Sequence, residues 1–447
     1  MKIFTILQSS FVLSAVFAAV LPDSNDSNQL ELNPLEDDES SSSNDDSNDD
    51  IPTLCSKGEY VISSSAQLEQ LYECDDIIGS LIISNYQQPT IDTGDIKTIS
   101  GDFVVVNATN LVRVDTPKLR KVGGEFVLKE LTSLTSLNLP RLTQIGSIRW
   151  NVLPILSTVS FGDNVEKISS IIISDTSLIG FAGFNVEYLD ILNLNNNRFL
   201  ESINLNLKGV KQQLSVSANA KNILVSFPHL EWANNVTIKD VSSINLDAIE
   251  KVNSSLEVID NNFQAFKLPK LSSVGGTLSL IENYNLKEIE FPNVSEIGGG
   301  LKIVNNTQVG KINFFPKLNV IGGAIEFLGD FKEASFNKLK LVKGSAIINS
   351  KSDGLDCSKW IHGGSTDDSV GASIIRGGNI VCTAGSKQQT IKFDQEGEII
   401  DEEISIIEDN DSKRKNVDYS NNGNKLSWKI DLTDFIFGLG ILLLVSI

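Results

Sequence analysis

A short alternating apolar run returns about every 22 residues through most of the chain, and this period limits what the chain can fold into. A unit of this length cannot bury its own apolar face, so neighbouring units must stack into a solenoid that shares one core. The runs begin at thirteen positions: Leu81, Phe103, Phe126, Ile148, Ile171, Leu192, Leu214, Val236, Leu256, Leu278, Leu301, Ile325 and Ala346.

Each unit is predicted to contain one short strand and a return. Leu278 and Leu280 alternate as strand residues do, and Leu286, Ile289 and Phe291 form a second inward set. A helix is disfavoured because the runs are rich in Val, Ile and Phe and are interrupted by Gly and Pro. The sequence therefore predicts an all-β fold, a right-handed parallel β-solenoid of leucine-rich-like repeats with about 13 turns.

Two residue types recur at the predicted corners. Glycine pairs precede several strands, and we expect them to supply positive φ: Gly123-Gly124, Gly275-Gly276, Gly298-Gly299 and Gly322-Gly323. Asparagines follow several strands: Asn107, Asn195, Asn219, Asn261, Asn283 and Asn305. We interpret these asparagines as a ladder in which side chains bond successive turns, and a row of ligand contacts is the alternative.

Acidic tails carry the net charge of −20. Residues 23–50 hold eleven acidic and no basic side chains, and residues 394–411 hold nine acidic and no basic ones. Such composition cannot bury a core, so disordered spacers are predicted, with residues 19–50 as an acidic disordered segment. Binding of calcium or a basic partner is the alternative. The remainder sums to zero, and the absence of a basic footprint argues against nucleic-acid binding.

Targeting segments are predicted at both ends. Residues 1–18 read as a secretory signal peptide, because Lys2 precedes an apolar run that ends near Ala18 and Ala19. Residues 435–447 are apolar but would span only about 20 Å of the ~30 Å hydrocarbon core. With the small residues at 420–423 and a polar spacer they predict a glycosylphosphatidylinositol (GPI) signal, and a tail-anchored helix is the alternative.

The lipid attachment site is predicted at Asn421, with Asn422 as the alternative, and residues 422–447 would be the propeptide. Residues 386–421 would form an acidic stalk. The basic residues 413–415 lie shortly before Asn421, a position associated with retention of GPI proteins at the plasma membrane. We expect the lipid to hold the protein at the extracellular face of the plasma membrane.

The four cysteines flank the repeat region of residues 80–350. Cys55 and Cys74 precede it, and Cys357 and Cys382 follow it. Three pairings are possible. Pairing within each end is favoured because it would stabilise two end caps, residues 51–79 and 351–385, by about 3 kcal/mol apiece. Metal ligation is disfavoured because only His229 and His362 could assist, and no cofactor is predicted.

Asparagine-linked glycans are predicted from seven Asn-x-Ser/Thr sequences. We favour Asn235, Asn253 and Asn293 over Asn107 and Asn305, which burial in the ladder would shield. The seven asparagines are Asn25, Asn107, Asn235, Asn253, Asn293, Asn305 and Asn410.

Catalytic groups are sparse. Glu257 and Glu326 are candidates for a glycosidase pair, but each stands alone, and the two histidines are dispersed. We therefore predict no catalytic residues.

Aromatic side chains that could stack on sugar rings are Trp150, Trp232, Tyr188 and Tyr284, with core packing favoured for Trp150.

Several stretches resemble the fungal GPI-anchored cell-wall organisation and sporulation-specific protein family. They are residues 148–154 (IRWNVLP), 173–176 (ISDT), 195–197 (NNN), 227–235 (FPHLEWANN) and Phe331. The family's repeats are similar to the receptor L domains of growth-factor receptors, and the resemblance covers roughly residues 55–382. The acidic insert before Cys55 departs from the family pattern.

The resemblance implies a surface glycoprotein that supports fungal cell-wall organisation and integrity. We expect it at the extracellular face of the plasma membrane and in the cell wall, held to the membrane through its GPI lipid. Its expected partners are wall glucan, mannan or wall proteins. The rival hypothesis is a polysaccharide-modifying enzyme on a β-helix scaffold, and a third is a structural spacer.

Overall fold

The computed structural model describes residues 53–361, 375–376, 378–393 and 399–406. They form short strands, two short α-helices and one turn of 3₁₀-helix at Thr53–Cys55.

The elements of the first half are β1 (Gly58–Ile62), α1 (Ser65–Glu69), β2 (Asp76–Ile77), β3 (Gly79–Ser84), β4 (Thr90–Asp92), β5 (Thr98–Ile99), β6 (Phe103–Val106), β7 (Arg113–Asp115), β8 (Lys121–Lys129), β9 (Ser136–Leu139), β10 (Gln144–Leu153), β11 (Thr158–Phe161), β12 (Ser170–Thr176), β13 (Gly180–Phe181), β14 (Tyr188–Asn195), β15 (Ser202–Asn204), β16 (Gly209–Ser217), β17 (Leu224–Ser226) and β18 (Trp232–Lys239).

Those of the second half are β19 (Ser243–Asn245), β20 (Lys251–Val252), β21 (Leu256–Ile259), β22 (Ala265–Lys267), β23 (Ser273–Val274), β24 (Leu278–Ile281), β25 (Glu288–Glu290), β26 (Glu296–Ile297), β27 (Leu301–Val304), β28 (Lys311–Ile312), β29 (Val320–Ile321), β30 (Ile325–Gly329), β31 (Glu333–Ala334), β32 (Leu341–Val342), β33 (Ala346–Ser350), α2 (Ser358–Ile361), β34 (Asn379–Ala384), β35 (Lys387–Phe393) and β36 (Ile399–Ile406).

The thirteen predicted run starts form one continuous column of parallel strand pairs. Leu81 pairs with Phe103, Phe103 with Phe126, and so on through Ile325 with Ala346. All thirteen side chains are buried. The parallel β-solenoid of about 13 turns is therefore confirmed.

Each turn of the solenoid has three sides. Side 1 carries the thirteen strands of the column, from β3 to β33. Side 2 consists of the strands β4-β7-β9-β11, β13-β15-β17-β19, β22-β25 and β28-β31. Side 3 contains β2, β5, β20, β23, β26, β29, β32 and the first residues of β8, β10, β14, β16 and β18. Inward residues of the three sides form one apolar core.

A left-handed residue ends the side 1 strand in eleven turns. These eleven residues are not glycines, and all have φ between 50° and 58°. Asn107 and Asn305 are two of them. The residue after each one turns into the core, and there the asparagine ladder is built. Asn107 and Asn305 therefore lie outside the ladder and are exposed, so their predicted place in it is wrong.

The ladder consists of two groups of buried asparagines. One group is Asn197 and Asn219, and the other is Asn261, Asn283 and Asn306. The predicted members Asn219, Asn261 and Asn283 are confirmed. The prediction for Asn195 is wrong, because its side chain donates a hydrogen bond to Asn193 in the same strand. The ladder members Asn197 and Asn306 were not predicted. In those turns the left-handed residue moves the next inward position one residue further along the chain. Strand alternation alone does not reveal this shift.

The glycine pairs lie at the corner between sides 3 and 1, but positive φ is not the reason for them. Gly123, Gly275, Gly298 and Gly322 do not have positive φ. A Cβ on Gly298 would instead overlap the backbone carbonyl oxygen of Gly275 in the preceding turn. Glycine is required there because two backbones approach closely.

Each end of the solenoid is covered by one added strand and a disulfide. At the first end β1 pairs with β3, and Cys55 is bonded to Cys74 with a Cα–Cα distance of 5.6 Å. At the other end β34 pairs with β33, and Cys357 is bonded to Cys382 with a Cα–Cα distance of 5.8 Å. The favoured pairing within each end is confirmed.

Removing the second disulfide should loosen one end only. The double variant Cys357→Ser, Cys382→Ser is expected to lose about 3 kcal/mol of stability, because the denatured chain regains loop entropy. Hydrogen exchange should accelerate in β33 and β34, while β3 and β6 keep their protection. Equal acceleration at both ends would contradict a local role for the bond.

The sheet continues past the predicted second cap. β34, β35 and β36 pair antiparallel, and Ile391 in β35 is fully buried. Strands β35 and β36 lie in the first part of residues 386–421, which the composition assigned to a stalk. The acidic residues of β36, such as Asp401 in its ion pair with Lys392, lie on exposed positions, so a high acidic content here is compatible with a strand.

The predicted signal peptide, the acidic segment 19–50, Asn25, Asn410, Asn421 and Asn422 lie outside the described residues.

Candidate functional site

The corner between sides 3 and 1 is one residue shorter in the middle of the solenoid. In most turns the chain advances four residues from the last inward residue of side 3 to the first inward residue of side 1, as from Val274 to Leu278. It advances three residues in three consecutive turns, from Ile145 to Ile148, Ile168 to Ile171 and Leu189 to Leu192, and again from Ala233 to Val236. Strands β10 and β14 run through this shortened corner, and each has a register shift against a neighbour with the four-residue corner, β10 against β8 and β14 against β16.

A surface groove lies along the shortened corner. It has a volume of about 650 Å³ and is open to solvent. Its floor is apolar, and its rim carries five charged side chains, an amide and a tyrosine. The floor contains Ile145, Ile168 and Val186, and the rim contains Glu166, Lys167, Asn185, Glu187, Tyr188, Asp190 and Lys211.

An exposed aromatic row begins at this groove. Tyr188, Gly209 and Trp232 are paired neighbours on three consecutive turns, so the two aromatic residues are about 10 Å apart along the solenoid. The indole of Trp232 lies against Gly209, where a Cβ would overlap the ring. Tyr188 is 48% exposed and Trp232 is half-buried. Gly209 thus leaves the space that the Trp232 indole occupies.

Ion pairs hold the charged rim in place. The Lys211 ammonium lies 2.8 Å from Asp190, and the Lys208 ammonium lies 2.7 Å from Glu187. The hydrogen bond from Lys208 to Glu187 raises the pKa of the lysine. The rim is therefore rich in paired donors and acceptors with little net charge, which suits neutral hydroxyl groups better than a strongly charged ligand.

The other predicted aromatic candidates lie elsewhere. Trp150 is 1% exposed and packs in the core, with its ring edge against Phe126 at a centroid distance of 5.8 Å. Tyr284 is 48% exposed but follows the side 1 strand β24, at a different corner and several turns away.

The two candidate carboxylates do not meet. Glu257 and Glu326 lie in one outward column of side 1, separated by Ser279 and Lys302. Three strand spacings put them about 14 Å apart, beyond the roughly 5–9.5 Å that a glycosidase pair spans. Glu326 is ion-paired with Lys302 at 3.0 Å. No cluster of three metal-ligating side chains occurs among the described residues. His362 lies outside them.

The predicted glycan acceptors differ in accessibility. Asn107, Asn235, Asn253 and Asn305 are exposed, so burial gives no reason to rank Asn107 and Asn305 last. Asn293 is half-buried, and its amide donates to the Pro269 carbonyl oxygen at 2.6 Å. All five stay predicted acceptors.

The groove itself was not found from the sequence. Its signal was present, because the spacing from the last inward residue of side 3 to the next strand falls from four to three in three consecutive turns. No helix in the described parts of the chain is long and apolar enough to span a membrane.

The fold defines the class of protein, which is a repeat protein built as a parallel β-solenoid with a disulfide at each end. The chain is 40% identical to sporulation-specific protein 22 of Saccharomyces cerevisiae over 97% of this chain and 95% of that protein. It is 44% identical to sporulation-specific protein 2 of the same yeast, over 81% of this chain and 71% of that protein. It is 32% identical to the cell surface GPI-anchored protein ECM33 of Candida albicans, over 74% of this chain and 78% of that protein.

The chain therefore belongs to the fungal family of sporulation-specific and GPI-anchored cell-wall proteins, and the resemblance seen in its sequence is confirmed. No family model matches the chain. No solved structure matches it.

Proposed function

We propose that this protein is a GPI-anchored surface glycoprotein that supports organisation of the fungal cell wall without catalysing a reaction. Relatives named as a cell wall mannoprotein and as cell surface GPI-anchored proteins support the wall and the outer cell surface as its location. Two relatives named for sporulation support a role at that stage.

The action we propose is binding of wall polysaccharide along the corner that holds Tyr188 and Trp232. The observation that carries it is the register of Tyr188, Gly209 and Trp232, which places two aromatic side chains in one column two turns apart. Pyranose rings present C–H groups that pack on aromatic faces, and their hydroxyl groups hydrogen-bond to carboxylates, ammonium groups and amides. The groove beside Tyr188 supplies these groups on its rim.

A non-catalytic role fits the carboxylate geometry. Glu257 and Glu326 are too far apart to share one glycosidic bond, and Glu326 already pairs with Lys302. Glucan and mannan are the ligand classes we propose, and a wall protein remains the other partner class.

Glycan binding should depend on Tyr188 and Trp232. The secreted ectodomain should be retained on insoluble β-glucan or on immobilised mannan. Tyr188→Ala and Trp232→Ala should each reduce retention about tenfold, because each removes one stacking face worth about 1–1.5 kcal/mol. Co-sedimentation with a dilution series of the polysaccharide measures this change.

Tyr284→Ala is the matched control. Tyr284 has the same 48% exposure as Tyr188 but lies at another corner, so its loss should leave retention unchanged. Equal losses at Tyr188 and Tyr284 would show that retention is unspecific. Soluble sugar released from the polysaccharide would instead favour the enzyme, and absence of both retention and release would favour a spacer.

A further inference from the structure

The corner between sides 1 and 2 is one residue shorter in a single turn than in the turns on either side of it. The inward residues that flank the corner are two positions apart in the short turn and three apart in the turns before and after. The three pairs are Thr176 and Leu178, Leu153 and Leu156, and Asn197 and Leu200. The short turn therefore has only Ser177 at this corner, between two ridges that are about 10 Å apart because they are separated by two strand spacings.

A surface slot lies over the short turn. Its volume is about 490 Å³, within the range of small-ligand sites. Pro154 belongs to the ridge of the preceding turn, and Arg198 and Phe199 form the ridge of the following turn. Phe199 is 57% exposed, and Pro154 is exposed as well. The slot thus offers accessible apolar surface on both of its walls.

Two opposite charges line the slot without pairing with each other. The Asp175 carboxylate accepts hydrogen bonds from the Asn151 amide at 3.4 Å and from the Asn196 amide. Arg198 is exposed and makes no ion pair and no hydrogen bond with a described residue. Its guanidinium donors are therefore free, and each carboxylate oxygen of Asp175 retains a lone pair for a further donor.

This combination selects a neutral ligand rich in hydroxyl groups. Asp175 repels an anion and Arg198 repels a cation, while a wholly apolar body would remove water from both charges without replacing it. A hydroxyl group donates to a carboxylate and accepts from a guanidinium equally well. A sugar ring also has a C–H face, which packs on an aromatic side chain such as Phe199.

We propose that the slot is a second saccharide-binding subsite, in which sugar hydroxyl groups bond Asp175 and Arg198 and the C–H face of the ring packs on Phe199. The inference rests on the saccharide binding proposed above, but it uses none of the same residues. The slot is at the corner between sides 1 and 2, whereas Tyr188 and Trp232 lie at the corner between sides 3 and 1.

The test uses the full secreted chain carrying Tyr188→Ala and Trp232→Ala, so that the aromatic row of the proposed function contributes no binding. Laminaribiose and mannobiose are the probes, and saturation-transfer NMR gives their dissociation constants. At least one of these disaccharides should bind. Equal concentrations of inorganic phosphate or of free phenylalanine, which probe for an anion site and a zwitterion site, should not displace it.

Three further substitutions in this chain test the slot itself. Phe199→Ala removes the aromatic wall and Arg198→Ala removes the free donors, so each should lower the affinity for the disaccharide about tenfold. Ser177→Trp fills the slot from its floor and should abolish binding. All three residues are at the surface or half-buried, so the thermal unfolding midpoint should change little.

Tyr284→Ala is the matched control for Phe199→Ala. Tyr284 is 48% exposed at the same corner of a later turn but does not line the slot, so its loss should leave the affinity unchanged. The proposal is overturned if no disaccharide binds, if Ser177→Trp binds normally, if phosphate or phenylalanine displaces the sugar, or if Tyr284→Ala weakens binding as much as Phe199→Ala. The function proposed above is judged separately, by retention of the Tyr188→Ala and Trp232→Ala single variants on polysaccharide.

Discussion

Replacing Asn283 with alanine is expected to lower the free energy of unfolding by about 4 kcal/mol, the largest effect we predict for one side chain. The Asn283 amide oxygen accepts the backbone N–H and the amide of Asn261, both at 3.0 Å. Its amide nitrogen donates to the Val258 carbonyl at 2.9 Å and to the Asn306 amide oxygen at 3.0 Å. All four bonds are buried, so water cannot replace them.

The exposed Asn285, two residues further along the same turn, provides the control. Asn285→Ala should change stability by less than about 0.5 kcal/mol, as expected for a surface site. Chemical denaturation gives both values, and hydrogen exchange of the Asn261 amide reports the local effect. Similar small losses in the two variants would show that the ladder is not a main source of stability.

Replacing Gly298 with alanine is expected to cost about 3 kcal/mol, the second largest effect. A Cβ at this position would overlap the carbonyl oxygen of Gly275 in the preceding turn. The backbone N–H of Gly298 also donates to the Val274 carbonyl at 2.8 Å, and moving the chain outward to relieve the overlap would lengthen that bond. Strand pairing on both sides of the corner would then weaken.

Gly310→Ala is the matched substitution, because a Cβ at Gly310 has no atom within 4 Å. Gly310 also lacks positive φ, so alanine there should be neutral or slightly stabilising. Thermal unfolding of the two variants makes the comparison. An equal change in melting temperature would mean that the loss comes from glycine's flexibility and not from the close approach of two turns.

The repeat predicted the fold to the level of register, because each run of inward residues must stack on the next to bury its apolar face. The ladder was predicted less well. Asn219, Asn261 and Asn283 were assigned correctly, but Asn197 and Asn306 were replaced by Asn195 and Asn305. A left-handed residue such as Asn305 interrupts strand alternation, and only the backbone conformation shows which of two adjacent asparagines turns inward.

The candidate site, like the ladder, was predicted only in part from the sequence. Tyr188 and Trp232 were recognised as possible contacts for sugar, because aromatic side chains can stack on sugar rings. Their alignment through Gly209 and the groove beside Tyr188 were not predicted. Both arise from corners that differ by one residue between adjacent turns, a small change in spacing with a large effect on shape.

The sequence by itself determined the number of turns, the inward column on side 1 and the cysteine pairing within each end, because all three follow from local spacing and from the need to bury apolar area. The tertiary structure alone decided where neighbouring turns fail to match. The groove at Tyr188 exists because neighbouring turns differ by one residue at a corner, and this difference leaves space that no single repeat encodes.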